Sequence, residues 1–139
     1  MSAADRDLPI GLDITVAWGE QDLFGHVNNV VYFRWMESVR MHYLDRIGAL
    51  RSHAEHGIGV ILASTTCDFK YPVHWPATLH IRTGAVHVGT TSFTLAYRLT
   101  DAGGSLLAEG TSVQVMYDYA KGHKVPIPAP IRAAIETLT

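Results

Sequence analysis

Cysteine occurs once in the 139 residues, as Cys67, which excludes an intramolecular disulfide and fits a reducing compartment. Charge is sparse. Lys and Arg total 11 against 13 acids, for a net charge of −2, and no basic run exists, so no nucleic-acid partner is expected. No apolar run approaches the ~20 residues of a membrane span, so no membrane partner is expected either. The opening M-S-A-A-D-R-D-L-P has no apolar stretch after a basic region and does not read as a signal peptide. There is no internal repeat and no G-x-S-x-G nucleophile elbow. What remains is a chain 47% apolar, long enough for one domain with a real core and expected in the cytoplasm.

The densest chemistry lies in Asp22 to Ser38, D-L-F-G-H-V-N-N-V-V-Y-F-R-W-M-E-S. From Val30, the residues Tyr32, Met36, Val39, Tyr43 and Ile47 recur at helical spacing and predict one apolar helix face ending near Gly48. Asn28 and Asn29 stand where a helix takes its cap. A carboxylate, a glycine turn and a helix N-terminus therefore arrive together. Free N–H groups and a partial positive charge at such a terminus suit a developing oxyanion. A base or nucleophile beside an oxyanion site is the minimum for attack on a carbonyl or thioester.

Elsewhere the period is two. Residues 1–9 read as a loose arm and 10–139 as the domain. Gly11 to Trp18 alternates as a half-buried strand, and residues 51–59 form a short helix or loop. Val60 to Tyr71 is a strand with Ile61, Ala63, Cys67, Phe69 and Tyr71 on one face and Ser64, Thr66, Asp68 and Lys70 on the other. Strands follow at 78–88, with Gly84 a candidate bulge, at 91–100 and at 106–117; Asp101 to Gly104 marks a hairpin, and residues 131–138 a closing helix. Long strands curving around one central apolar helix account for this order.

The pattern D-x-x-G-x-V-x-x-x-x-Y at Asp22, Gly25, Val27 and Tyr32, followed by an amphipathic helix and four strands, resembles the hotdog-fold thioesterases, most closely the 4-hydroxybenzoyl-CoA thioesterase type. H-V-N-N-V-V-Y at residues 26–32 is also similar to the acyl-carrier-protein thioesterases of that superfamily. F-K-Y-P-V at 69–73, G-T-T-S-F at 89–93 and K-V-P-I-P at 124–128 extend the likeness over residues 10 to 135. The resemblance implies an α+β hotdog fold in which a curved antiparallel sheet of about five strands wraps the helix. It implies hydrolysis of acyl-CoA to a carboxylic acid and free CoA, with Asp22 as general base or nucleophile and the amide at Asn29 polarising the carbonyl. It further implies a homodimer joined sheet to sheet, often doubled to a tetramer, with no metal and no cofactor beyond the CoA of the substrate. Where relatives grip the nucleotide with an arginine-rich turn, this chain has Gly89, Thr90 and Thr91. Lys70, Lys121 and Lys124 are the basic residues nearest the matching strands and loop.

Each of these residues also has a plainer reading. Asp22 can cap its own turn. His26 either orients Asp22, or bonds substrate, or only holds the loop backbone. Asn28 reads as a helix cap, and Asn29 matters through its backbone. Gly25 supplies a positive φ or close approach, and Tyr32 reads as core or interface. Glu37, between Arg34 and Arg40, is a helix-surface ion pair or an acid facing the site. Ser64 and Thr66 line the acyl end or simply face solvent. His53 and His56 lack a third metal ligand. Two other functions stay open: acyl-carrier-protein thioesterase and non-catalytic acyl-CoA binder. A hotdog hydratase is set aside, since its Asp/His motif is missing from the expected loop.

Overall fold

The computed structural model describes residues 8–139. Six residues, Ile10–Thr15, form β1. A single 3-10 turn follows at Trp18–Glu20, then α1 over Asn29–Arg46 and α2 over Ala49–His56. Strands β2 (Ile58–Phe69), β3 (Thr78–Val88), β4 (Ser92–Thr100) and β5 (Leu106–Asp118) come next. A two-residue β6, His123–Lys124, and α3, Ala129–Leu138, close the chain. The sheet runs in the order β1-β3-β4-β5-β2 with antiparallel neighbours, and β6 adds to β5. One face of this sheet curls around α1, which is the hotdog arrangement.

The helix starts where Asn28 accepts a bond from the Val30 N–H and ends where Gly48 takes φ +85°. Between them Val31, Tyr32, Trp35, Met36, Val39, Tyr43 and Leu44 are buried, against Leu79, Ile81, Phe93, Leu95, Tyr97, Leu99 and Met116 from the strands. Burying each large apolar side chain stabilises the fold by roughly 1.5–3 kcal/mol. Burial also pushes the Tyr43 phenol up to about 12. The core is not wholly apolar. Tyr97 Oη lies 2.6 Å from Ser112 Oγ, Ser112 bonds Gln114, and Gln114 Nε2 donates to the Phe93 carbonyl at 3.1 Å.

Several sequence expectations change. Val30 is 67% exposed and Val31 takes its place on the buried face, because Val31 stands four residues before Trp35 and so shares its side of the helix. Trp18 is 69% exposed: the Ala17 N–H donates to Glu20 Oε1 at 2.6 Å and turns the chain out of the strand. A register shift between Leu62 and Ser64 reverses the start of β2, so Leu62 joins Cys67 on the helix side while Ile61 pairs with Val115 on the other. The bulge in β3 falls between Ala85 and His87 and not at Gly84. Gly84 instead allows close approach, since a Cβ there would lie 2.6 Å from Pro9 Cδ. Of the expected arm, residues 1–7 lie outside the described residues. Leu8 is only 4% exposed and its carbonyl accepts from Arg82 Nε at 2.8 Å, so this residue packs with the domain and not as part of a loose arm.

Candidate active site

The D-L-F-G-H loop is a closed turn. The Asp22 N–H donates to the His26 carbonyl at 2.7 Å and the Gly25 N–H to the Asp22 carbonyl at 3.1 Å. Asp22 Oδ1 accepts from the Phe24 N–H at 2.9 Å, so the carboxylate does cap its turn, through one oxygen. Gly25 has φ +79°, and nothing lies within 4 Å of a Cβ built there; positive φ is what the position requires. The loop is pinned behind by Val27, 4% exposed, whose N–H donates to the Val73 carbonyl at 2.8 Å. His26 packs edge-to-face on His74 at 4.8 Å, and His74 Nδ1 lies 3.3 Å from the Gly25 carbonyl oxygen.

The first turn of α1 follows at once, and most of its amides have partners. Asn28 N–H donates to the Glu20 carbonyl at 3.0 Å, Val30 N–H to the Asn28 side chain at 3.0 Å, and Val31 N–H to the Asn28 carbonyl at 2.9 Å. Among the described residues no acceptor takes the N–H of Asn29. A helix start leaves such donors over, and a capping side chain takes only part of them. Here the cap takes Val30 and leaves Asn29.

Asp22, His26, Asn29, Tyr32 and Lys70 line one groove with Val27, Phe69, Tyr71 and Pro72, of about 470 Å³. Tyr32 and Phe69 form its apolar wall, their rings edge-to-face at 4.8 Å. Burial pushes the Tyr32 phenol up. Lys70 Nζ lies 3.6 Å from Glu109 Oε1 at the rim. Phe69 and Tyr71, both in the F-K-Y-P-V run, join the groove without a signal of their own in the sequence. Gly25 and Asn28 shape this groove from behind, through φ and through the cap.

The other candidates lie elsewhere. Glu37 belongs to a second groove farther along α1, with Val30, Phe33, Arg34, Arg40, Leu62 and Thr65. Ser64 and Thr66 alternate with Thr65 and Cys67 and face away from α1, where Thr66 Oγ1 lies 2.9 Å from Thr111 Oγ1. Thr90, Thr91 and Lys124 sit at the far end of the sheet. The Thr91 carbonyl accepts from Met116 N–H and Lys124 pairs with Tyr117, whereas the groove end of β5 is at Leu107, roughly 30 Å away along the strand. Cys67 borders a small internal cavity with Tyr32 and Met36, and burial, then the Asp68 charge, raises its thiol to about 11. His53 stacks edge-to-face on Tyr119 at 5.0 Å and contributes to no group of three metal-ligating side chains among the described residues. No helix among them is long and apolar enough to cross a membrane.

The sequence profile of the thioesterase-like superfamily matches residues 16–135. The uncharacterized protein YsmA of Bacillus subtilis (strain 168) is 30% identical over 112 residues, covering 81% of this chain and 75% of YsmA. Among solved structures, the BH1999 gentisyl-coenzyme A thioesterase superposes with TM-score 0.77 at 27% identity, over 91% of this chain and 98% of its own. A thioesterase from Thermus thermophilus, complexed with coenzyme A and Zn, gives TM-score 0.82 at 27% identity, over 94% of this chain and 93% of its own.

Proposed function

Because this chain belongs to the thioesterase-like superfamily, we propose that it is an acyl-CoA thioesterase whose reaction centre is the groove between Asp22 and the start of α1. The observation that carries the reading is the Asn29 N–H, left without an acceptor in a groove that Asp22 also lines. A thioester is an activated acyl group, so a carboxylate and one well-aimed donor suffice without a serine triad. The thioester oxygen takes the Asn29 N–H, and its charge grows against the N-terminal end of the α1 dipole. Asp22 either draws a proton from the attacking water and passes it to the departing sulfur, or attacks the carbonyl, expels the CoA thiolate and forms a mixed anhydride that water then hydrolyses. In both, CoA ends as the thiol and the acyl group as the acid. The turn bond from Phe24 fixes one carboxylate oxygen and so orients the other. His26, held against His74, lies on the same wall as an orienting or water-binding group. The gentisyl-coenzyme A thioesterase and the thioesterase complexed with coenzyme A, both similar in structure, favour CoA over carrier protein as the thiol.

The same reading makes the active form a homodimer or tetramer. Strand β2 supports it: twelve residues long, at the sheet edge, with Ile61, Leu62 and Phe69 at least 37% exposed. Antiparallel pairing of two such edges brings the far end of a second copy toward the groove. Thr90, Thr91 and Lys124 then belong to the site through the partner, as CoA contacts.

The test is release of free thiol from short, long and aryl acyl-CoAs. Two substitutions probe the two groups. Asp22→Asn keeps shape and removes charge, and a loss of about 100-fold or more in kcat is expected. Asn29→Pro removes the N–H along with the side-chain amide and keeps the helix start, because proline is well tolerated at the first helical position and Asn28, at ψ 136°, is already extended. A loss of ~100- to 1000-fold is expected there. Full activity in folded Asn29→Pro refutes the oxyanion assignment; acyl-CoA binding without hydrolysis by the native chain makes it a binder.

A further inference from the structure

On the footing of that thioester reading, we propose that the second groove along α1 receives the far end of the acyl group, and that Arg40 with Arg34 selects acyl groups ending in an anion, as in an ω-carboxyacyl thioester. Arg40 holds its guanidinium in an unusual position: the residue is 7% exposed and sits on the helix face turned to the core. A guanidinium carries five N–H donors. Among the described residues its polar contacts are two and both long: Nη1 to Tyr97 Oη at 3.4 Å, and Nη2 to Glu37 Oε2 at 3.9 Å. The Tyr97 hydroxyl is already engaged with Ser112 at 2.6 Å. The Glu37 side chain is 64% exposed, so most of its charge is spent on water. A nearly buried cation with so weak a counter-charge has strong reason to take a carboxylate, which a guanidinium binds through two parallel N–H bonds.

The surroundings fit a chain that ends in such a group. The groove of about 310 Å³ is lined by Val30, Phe33 and Leu62 as well as Arg34, Glu37, Arg40 and Thr65. It lies on the same α1–β2 seam as the Asp22 groove, and Phe69 stands between them, with ring contacts to Tyr32 at 4.8 Å and Phe33 at 6.4 Å. From Asn29 to Arg40 the helix rises about 16 Å, and arginine leans back toward the N-terminus, so the anion falls at roughly the reach of a six- to eight-carbon chain. Glu37 is the opposing charge in the groove, and an incoming carboxylate displaces it toward solvent. Two arginines against one glutamate leave the groove net positive.

The experiment compares kcat/KM for adipyl- and suberyl-CoA with hexanoyl- and octanoyl-CoA, matched in length and differing in the terminal carboxylate. The native chain is expected to favour the carboxylated pair by about tenfold or more. Arg40→Met brings that ratio close to one, Arg34→Met lowers it severalfold, and Glu37→Gln raises it. Should Arg40→Met fail to fold, Arg34→Met at its exposed position decides, with a melting curve for each variant. Indifference of the native chain to the carboxylate, or a ratio that survives in both folded arginine variants, overturns the proposal and leaves the thioesterase reading standing. If no acyl-CoA of either kind is hydrolysed, it is the thioesterase reading that has failed.

Discussion

This chain builds the same turn twice, once at Asp22-Leu23-Phe24-Gly25 and once at Asp101-Ala102-Gly103-Gly104. In both, the Asp N–H donates four residues on, to His26 at 2.7 Å and to Ser105 at 3.0 Å. In both, the glycine N–H returns to the Asp carbonyl, at 3.1 and 3.0 Å, and Oδ1 takes the amide two residues on, at 2.9 and 3.0 Å. The closing glycines have φ +79° and +85°. The two turns differ in how far the carboxylate is used and in the element each leads into. Asp101 Oδ1 takes a second amide, from Ser105 at 2.9 Å, and the chain runs straight into β5. Among the described residues Asp22 Oδ1 has the one amide, and the chain runs into a helix whose Asn29 N–H none of them accepts. An Asp-x-x-Gly turn is therefore a scaffold. The chemistry proposed for the first turn rests on what the second lacks, a less saturated carboxylate and a spare donor lining one groove.

The largest effect expected from this contrast is on turnover. Asp22→Asn and Asp101→Asn are equally mild in shape, and each retains an oxygen for its turn. Thiol release is expected to fall by about 100-fold or more in the first and to stay within about twofold in the second. Equal losses would mean that the Asp22 carboxylate supports structure alone, and that the two turns do not differ in kind.

Backbone substitutions sharpen the contrast at a smaller scale. Gly25→Ala and Gly104→Ala both place a Cβ at positive φ with nothing within 4 Å to clash, so each is expected to cost about 1 kcal/mol in denaturant unfolding. Matched stability losses with a drop in kcat confined to Gly25→Ala would show that the first turn aims a catalytic carboxylate. A kcat unchanged in folded Gly25→Ala would show that the turn's shape is immaterial to the reaction.

The turns, the cap and the helix were legible because each is a local matter. Asn28 caps at the residue expected, and Gly48 ends α1 where its missing Cβ allows. Strands β4 and β5, and β3 as far as its bulge after Ala85, follow alternation because each has a neighbour on both sides to hold its register. Strand β2 has a neighbour on one side only, and its bulge reverses the side chains before Ser64, which alternation alone cannot reveal. The burial of Arg40 is not legible in the sequence, because a charged residue beside Glu37 at helical spacing reads as a surface pair; its packing involves Tyr97 and Ser112, both more than fifty residues on. In the groove, Asp22, His26, Asn29 and Tyr32 are near in sequence and were found together. Phe69 and Tyr71 reach it only through the sheet.

The smallest effect separates two adjacent asparagines. The Asn28 side chain accepts the Val30 N–H at 3.0 Å, so Asn28→Ala removes a cap and is expected to cost about 1 kcal/mol of stability. The Asn29 side chain makes no hydrogen bond among the described residues, and alanine is a better helix former that retains the N–H. Asn29→Ala is therefore expected to leave stability within about 0.5 kcal/mol of the native chain and thiol release within about threefold. Set beside Asn29→Pro, this isolates one hydrogen atom. A large loss in Asn29→Ala would transfer the role from the backbone donor to the side-chain amide, and the shared helix start would then explain less than the residue it happens to carry.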